Sequence, residues 1–110
     1  MSDNRGRNAD ILSLEIVVEF PAEASRIFSI VGDVAQWPES LQPRILKSAP
    51  HSKIIAGLPD FSRPEFTLST KPQGCELSLL HDLIKSTEDR KEYRKIWTAW
   101  FKSVLKRVSL

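Results

Sequence analysis

Few residues of this chain have both the type and the spacing to do chemistry. The first is His81, followed at once by Asp82. Neighbours on a strand point to opposite faces, so these two cannot work as a dyad. His81 shares its strand face with Cys75, Leu77 and Leu79. If that face is inward, His81 is a polar group in apolar surroundings. It is then either a hydrogen-bonded structural imidazole or the polar group of an enclosed site. His51 lies in a Pro/Ser turn context and reads as exposed. Two isolated histidines make no metal motif, and no metal or cofactor is expected. Cys75, the only cysteine, starts a strand after a turn, with no expected base or helix N-terminus beside it. That is the setting of an inert thiol rather than a nucleophile. Glu15 and Glu19 share one face of a strand, about 13 Å apart along it. That is too far for the paired carboxylates of a glycosidase. The sequence has no Gly-rich phosphate loop and no serine-nucleophile motif.

The element that must organise these residues is a C-terminal helix over 86–108. Tyr93, Ile96, Trp97, Trp100, Phe101, Val104, Leu105 and Val108 recur at steps of three and four, which places them on one helical stripe. Ser86, with Asp89 three residues on, marks its start in the manner of a capping box. Lys106 and Arg107 suit the negative pole at its end. Its polar side carries Lys91, Arg94, Lys95, Lys102 and Lys106, diluted by Glu88, Asp89 and Glu92. This reads as a solvated outer face. Such a helix needs an apolar sheet to cover it, and the earlier chain supplies alternating segments. Residues 13–20 put Leu14, Ile16, Val18 and Phe20 on one face. Pro21 then opens a short helix over 22–31, stopped by Gly32, and Asp33 caps a second over 34–37, broken by Pro38. Segments 44–48 and 52–58 are candidate strands, and 59–64 is a Pro-punctuated loop. Residues 65–70 and 75–84 flank Lys71-Pro72-Gln73-Gly74 as a hairpin.

The fold expected is therefore α+β: an antiparallel sheet of about five strands against a long C-terminal helix, with two short helices after the first strand. The 110 residues suffice for one core, read as a single unit over 11–110 behind a flexible tail at 1–10. A net charge of +2 gives no argument for nucleic acid. No apolar run approaches the ~20 residues of a membrane span. One cysteine leaves no internal disulfide and no cysteine-based zinc site, which fits a reducing cytoplasm.

This order resembles the helix-grip fold of the START-like (SRPBCC) superfamily. The likeness lies in Val18-Glu19-Phe20-Pro21-Ala22 followed by Arg26-Ile27-Phe28-Ser29-Ile30-Val31, and in Gly32-Asp33-Val34-Ala35-Gln36-Trp37-Pro38. It continues in Gly74-Cys75-Glu76-Leu77-Ser78-Leu79-Leu80-His81 and in Ile96-Trp97 through Val104-Leu105. The last pair is similar to the AHSA1-like branch, related to the activator of the Hsp90 ATPase; polyketide cyclases share the fold. The chain departs from the pattern between Trp37 and Glu65, where such proteins carry more strand, so the cavity is expected to be small, open or absent.

The resemblance implies an apolar or amphipathic small molecule held between sheet and helix, without catalysis. By position its lining is Trp97, Trp100, Phe101 and Val104 from the helix, Phe28, Trp37 and Leu41 from the lid side, and Phe66, Leu68, Leu77, Leu79 and His81 from the sheet. The same residues equally suit a filled core. The alternative is a protein-interaction module, co-chaperone-like or a homodimer, since a shortened sheet leaves an edge that can pair. A cyclase-like enzyme would need an inward acid or base, and His81 is the residue placed for it. A small sheet also predicts spare aromatic surface near Trp97 and Trp100.

Overall fold

A computed structural model of the chain describes residues 11–109; the tail expected over 1–10 lies outside the described residues. The elements run β1 (Leu12–Phe20), α1 (Ala24–Val31), two single 3₁₀ turns (Val34–Gln36 and Glu39–Leu41), β2 (Arg44–Ala49), β3 (Lys53–Gly57), β4 (Arg63–Lys71), β5 (Gly74–Ile84) and α2 (Thr87–Val108). The five strands form one antiparallel sheet in the order β1-β5-β4-β3-β2, so β1 and β2 are its edges. This is the α+β architecture expected of the sequence.

Alternation decides which face the sheet buries. Cys75, Leu77, Leu79 and His81 of β5, Phe66 and Leu68 of β4, and Ile54 and Ala56 of β3 all turn inward. Glu15 and Glu19 turn to solvent. The β4–β5 hairpin closes through Pro72 and Gln73, with Lys71 paired to Gly74. Gly74 has φ 150°, and a side chain there would run into the Phe20 carbonyl, so only glycine lets β1 close against the hairpin.

Three expectations are corrected. The helix expected over 34–37 is only one 3₁₀ turn, and a second turn, Glu39–Leu41, follows Pro38. Three residues per turn is what a segment this short sustains. The alternation of β5 also breaks at its end. Leu12 and Leu14 of β1 face Ile84 and His81, so β5 carries an extra residue there, and Leu83 takes φ 60°. Asp82 Oδ1 accepts the Leu83 N–H at 2.9 Å and secures the bulge. Leu83 is thereby turned outward, and Ile84, placed on the outer face by simple alternation, is fully buried. The third correction concerns spare aromatic surface near Trp97 and Trp100, which are only 0% and 7% exposed. The segment 34–41 covers them: Trp37 packs on both rings, and the Trp100 indole N–H donates to the Gln36 carbonyl at 2.9 Å.

The long helix starts where its cap predicts. Ser86 Oγ accepts the Asp89 N–H at 3.0 Å. At the other end Arg107 donates to Gln36 Oε1 at 2.6 Å and ties the last turn to the covering segment. Trp97, Trp100, Phe101, Val104 and Val108 of the stripe are buried, Tyr93 and Ile96 half-buried, and Leu105 exposed. Ser86→Ala is expected to lower stability by ~1 kcal/mol. A shift of the urea midpoint without a change in slope checks this, and an unmoved midpoint would mean that docking alone holds the first turn.

Candidate functional site

Each residue expected to line a pocket can be placed. Trp37, Phe66, Trp97, Trp100 and Phe101 form one aromatic cluster between sheet and helix. Phe66 lies at its centre, with ring centroids 5.4 Å from Trp37 and Trp97, 6.2 Å from Trp100 and 6.3 Å from Phe101. Such spacing is that of rings in direct contact, mostly edge to face. Leu41, Leu68, Leu77, Leu79 and Val104 are buried in the same core. Phe28 is half-buried at its margin, edge-on to His51 at 5.6 Å. The structure thus brings the expected residues together in one packed interior, with Phe28 packed against its margin.

Two openings border this interior. A notch of about 120 Å³ lies between β1 and α2, lined by Ile16, Val18, Phe101 and Leu105 among others. A wider, open recess of about 420 Å³ is lined by Leu41, Pro59, Asp60, Asp89, Glu92 and Tyr93.

His81 points inward as expected and is fully buried. Its partners fix its state. Trp97 Nε1–H donates to His81 Nδ1 at 3.0 Å. An indole nitrogen can only donate, so Nδ1 carries no proton. Ser62 Oγ lies 2.8 Å from His81 Nε2 and 2.6 Å from Asp60 Oδ1. An ionised carboxylate can only accept, so the hydroxyl donates to Asp60 and receives the Nε2 proton of His81. Tyr93 donates to Asp60 Oδ2 at 2.5 Å, and the Ser62 N–H donates to Asp60 Oδ1 at 2.9 Å. One directed relay therefore runs from Trp97 through His81 and Ser62 to Asp60, with Tyr93 closing on the same carboxylate. Lys85 adds a bond to the Asp60 carbonyl at 2.6 Å.

The relay fixes the charges. Burial pushes the pKa of His81 down to about 4, against the opposing pull of the Asp60 and Asp82 carboxylates. Burial alone would raise that of Asp60, but its bonds from Ser62 and Tyr93, with Lys85 nearby, outweigh this and hold it below its ordinary value. Burial, and then the bond to Asp60, push the Tyr93 phenol up to about 12. Burial also raises the thiol of Cys75. A neutral imidazole with both nitrogens engaged has no lone pair or proton free for a substrate. Tyr93 is the chain's one tyrosine. Its phenolate absorbance is therefore expected to titrate with a midpoint near 12. A midpoint near 10 would mean that in solution the phenol is neither buried nor bonded to Asp60.

Sequence reasoning found His81 but missed Asp60, Ser62 and Tyr93 as its partners. Asp60 and Ser62 fall in the loop read only as punctuation, and the spacing Asp-x-Ser of an Asx turn was the signal available. It also missed Phe61, the residue between them. Phe61 is 82% exposed.

No family model and no curated protein matches the sequence. Solved structures do match. The Aha1 dimer from Colwellia psychrerythraea superposes with a TM-score of 0.73 at 11% identity, over 88% of this chain and 96% of that one. The AHSA1-like protein from Rhizobium etli gives 0.70 at 13% identity, over 87% and 81%. A di-domain ARO/CYC of the steffimycin biosynthetic pathway gives 0.66 at 12% identity, over 94% of this chain and 51% of that one. The fold is the one these structures share, a helix grip. At these identities the likeness concerns the fold alone. Within that grip this chain has a sheet of five strands among the described residues, and the covering turns over 34–41 lay Trp37 and Leu41 onto the helix. No helix among the described residues is long and apolar enough to cross a membrane.

Proposed function

We propose that this chain is a non-catalytic START-like module that binds a protein partner on its surface. The supporting observation is the aromatic cluster of Trp37, Phe66, Trp97, Trp100 and Phe101, which occupies the space where a helix-grip protein would hold a small molecule. All three indole N–H groups are spent inside the protein, on the Val31 carbonyl, His81 and the Gln36 carbonyl. The interior offers a ligand little that is not already bonded. A homodimer is one form of this reading, and the similarity to a protein solved as a dimer is its motive. The lone, buried thiol of Cys75 fits a cytoplasmic setting.

The second reading is a hydrophobic small molecule between sheet and helix. The notch at Ile16, Val18, Phe101 and Leu105 favours it, being apolar and in the right place, though about 120 Å³ admits only a few heavy atoms. Titration with fatty acids and polycyclic aromatic probes separates the two. The protein-binding reading expects no saturable quenching of tryptophan fluorescence and no shift of melting temperature. A stoichiometric, saturable response of both would give the function to the small molecule.

A further inference from the structure

The most exposed large apolar side chain among the described residues is Phe61, at 82%. It is also one of four non-glycine residues with positive φ among the described residues, at 70°. That region disfavours a residue with a Cβ. Hydrogen bonds of the loop nonetheless hold it there. The Phe61 N–H donates to the Leu58 carbonyl at 2.8 Å and the Leu58 N–H to the Ser62 carbonyl at 3.0 Å. Asp60 and Ser62, on either side, are pinned through the buried relay to Tyr93, His81 and Trp97. An aromatic ring is thus displayed to solvent from a frame anchored in the core.

Phe61 borders an open groove of about 400 Å³ whose walls include Arg44, Leu46, Gly57 and Arg63. Leu46 is the extra residue of a bulge in β2, since Ile45 and Lys47 face consecutive residues of β3. It packs over Gly57 and stays 45% exposed. The groove therefore joins apolar lining from Leu46, Leu58, Pro59 and Phe61 to two arginines, Arg44 and Arg63, with Gln42 and Ser62 as its other polar residues. Among the described residues no carboxylate lines it, and neither arginine is in an ion pair. Of the acids close by, Asp60 is spent on Ser62 and Tyr93, and Asp82, the cross-strand partner of Arg63, accepts the Leu83 N–H through Oδ1 and makes no ion pair with that arginine. β2 is an edge strand, so an extended chain can also use backbone groups that no described strand pairs.

We propose that this groove docks an extended acidic segment of a partner protein, with Phe61 as its apolar anchor and Arg44 and Arg63 reading carboxylates on either side. The inference rests on the protein-binding reading above and names the kind of partner.

A random peptide library displayed on phage, panned on the intact chain, tests it. The peptides enriched should carry an apolar residue beside two or more Asp or Glu. Their binding should fall at least tenfold in Phe61→Gly and in Arg44→Glu/Arg63→Glu, and weaken with added salt. Phe61→Gly should melt no lower than the parent, because glycine takes positive φ freely and little buried surface is lost. Loss of binding with folding retained therefore reads the site and not the fold. Three results would overturn the proposal: no enrichment, enriched peptides without acids, or equal binding to Phe61→Gly. The last would leave the protein-binding reading standing and move its site elsewhere. A self-association that Phe61→Gly abolishes would assign the groove to a second copy instead.

Discussion

Trp97→Ala is expected to bring the chain to the edge of unfolding at room temperature. Trp97 is fully buried and touches Trp37, Phe66, Trp100 and Phe101. Truncating such a side chain costs ~3–5 kcal/mol. The substitution also removes the donor to His81 Nδ1, and an orphaned buried acceptor costs a further ~1–3 kcal/mol. A domain of this size has only ~5–15 kcal/mol in all. Trp97→Phe separates the two causes, since it keeps most of the ring contact and loses the donor. Its cost should fall between the parent and the alanine variant. Urea denaturation followed by circular dichroism gives both numbers. An alanine variant within ~1 kcal/mol of the parent would contradict the packing described.

The second large effect is a dependence of stability on pH. His81 takes up a proton near pH 6.5 when unfolded, but only near 4 when folded. Between those values unfolding binds a proton, so stability falls as pH falls. Below pH 4 the loss is complete and amounts to ~3 kcal/mol. Asp60, whose folded pKa is depressed, adds to the loss in the same direction at still lower pH. Tyr93 acts at the other end. Its neutral form is favoured in the folded chain, so its contribution is present below pH 10 and is lost as pH rises toward 12. The melting temperature should therefore be flat from about pH 7 to 9 and fall on both sides. In His81→Gln the decline between pH 6.5 and 4 should vanish. A decline that persists there would place its source in another group.

Much of this is legible in the sequence. The steps of three and four from Tyr93 to Val108 gave the helix and its buried side. The alternation of β5 gave the inward His81, because a side-chain period of two leaves little choice once one face is buried. Other features were hidden for identifiable reasons. The bulge at Leu83 depends on a local bond from its N–H to Asp82, and one extra residue reverses every assignment after it. The covering of Trp97 and Trp100 depends on two short turns around Pro38, which periodicity cannot see because each holds only three residues. The relay joins Asp60, His81 and Tyr93, which are far apart in sequence and meet only because β4 and β5 pair beside α2. Phe61 escaped notice because a single aromatic in a Pro-rich loop has no pattern around it. Its meaning lies in the conflict between a costly backbone and an exposed ring, which only the folded chain displays.

The grip is closed on its own aromatic residues. Hydrogen exchange at the indole of Trp97, followed by nuclear magnetic resonance, tests this most directly. That proton is buried and bonded to His81 Nδ1 at 3.0 Å. It should exchange only through global unfolding, at a rate set by the full stability of the chain. Exchange at the rate of an open indole, or as fast as an exposed backbone amide, would mean that solvent reaches the space between helix and sheet, and that the cavity taken to be filled is open.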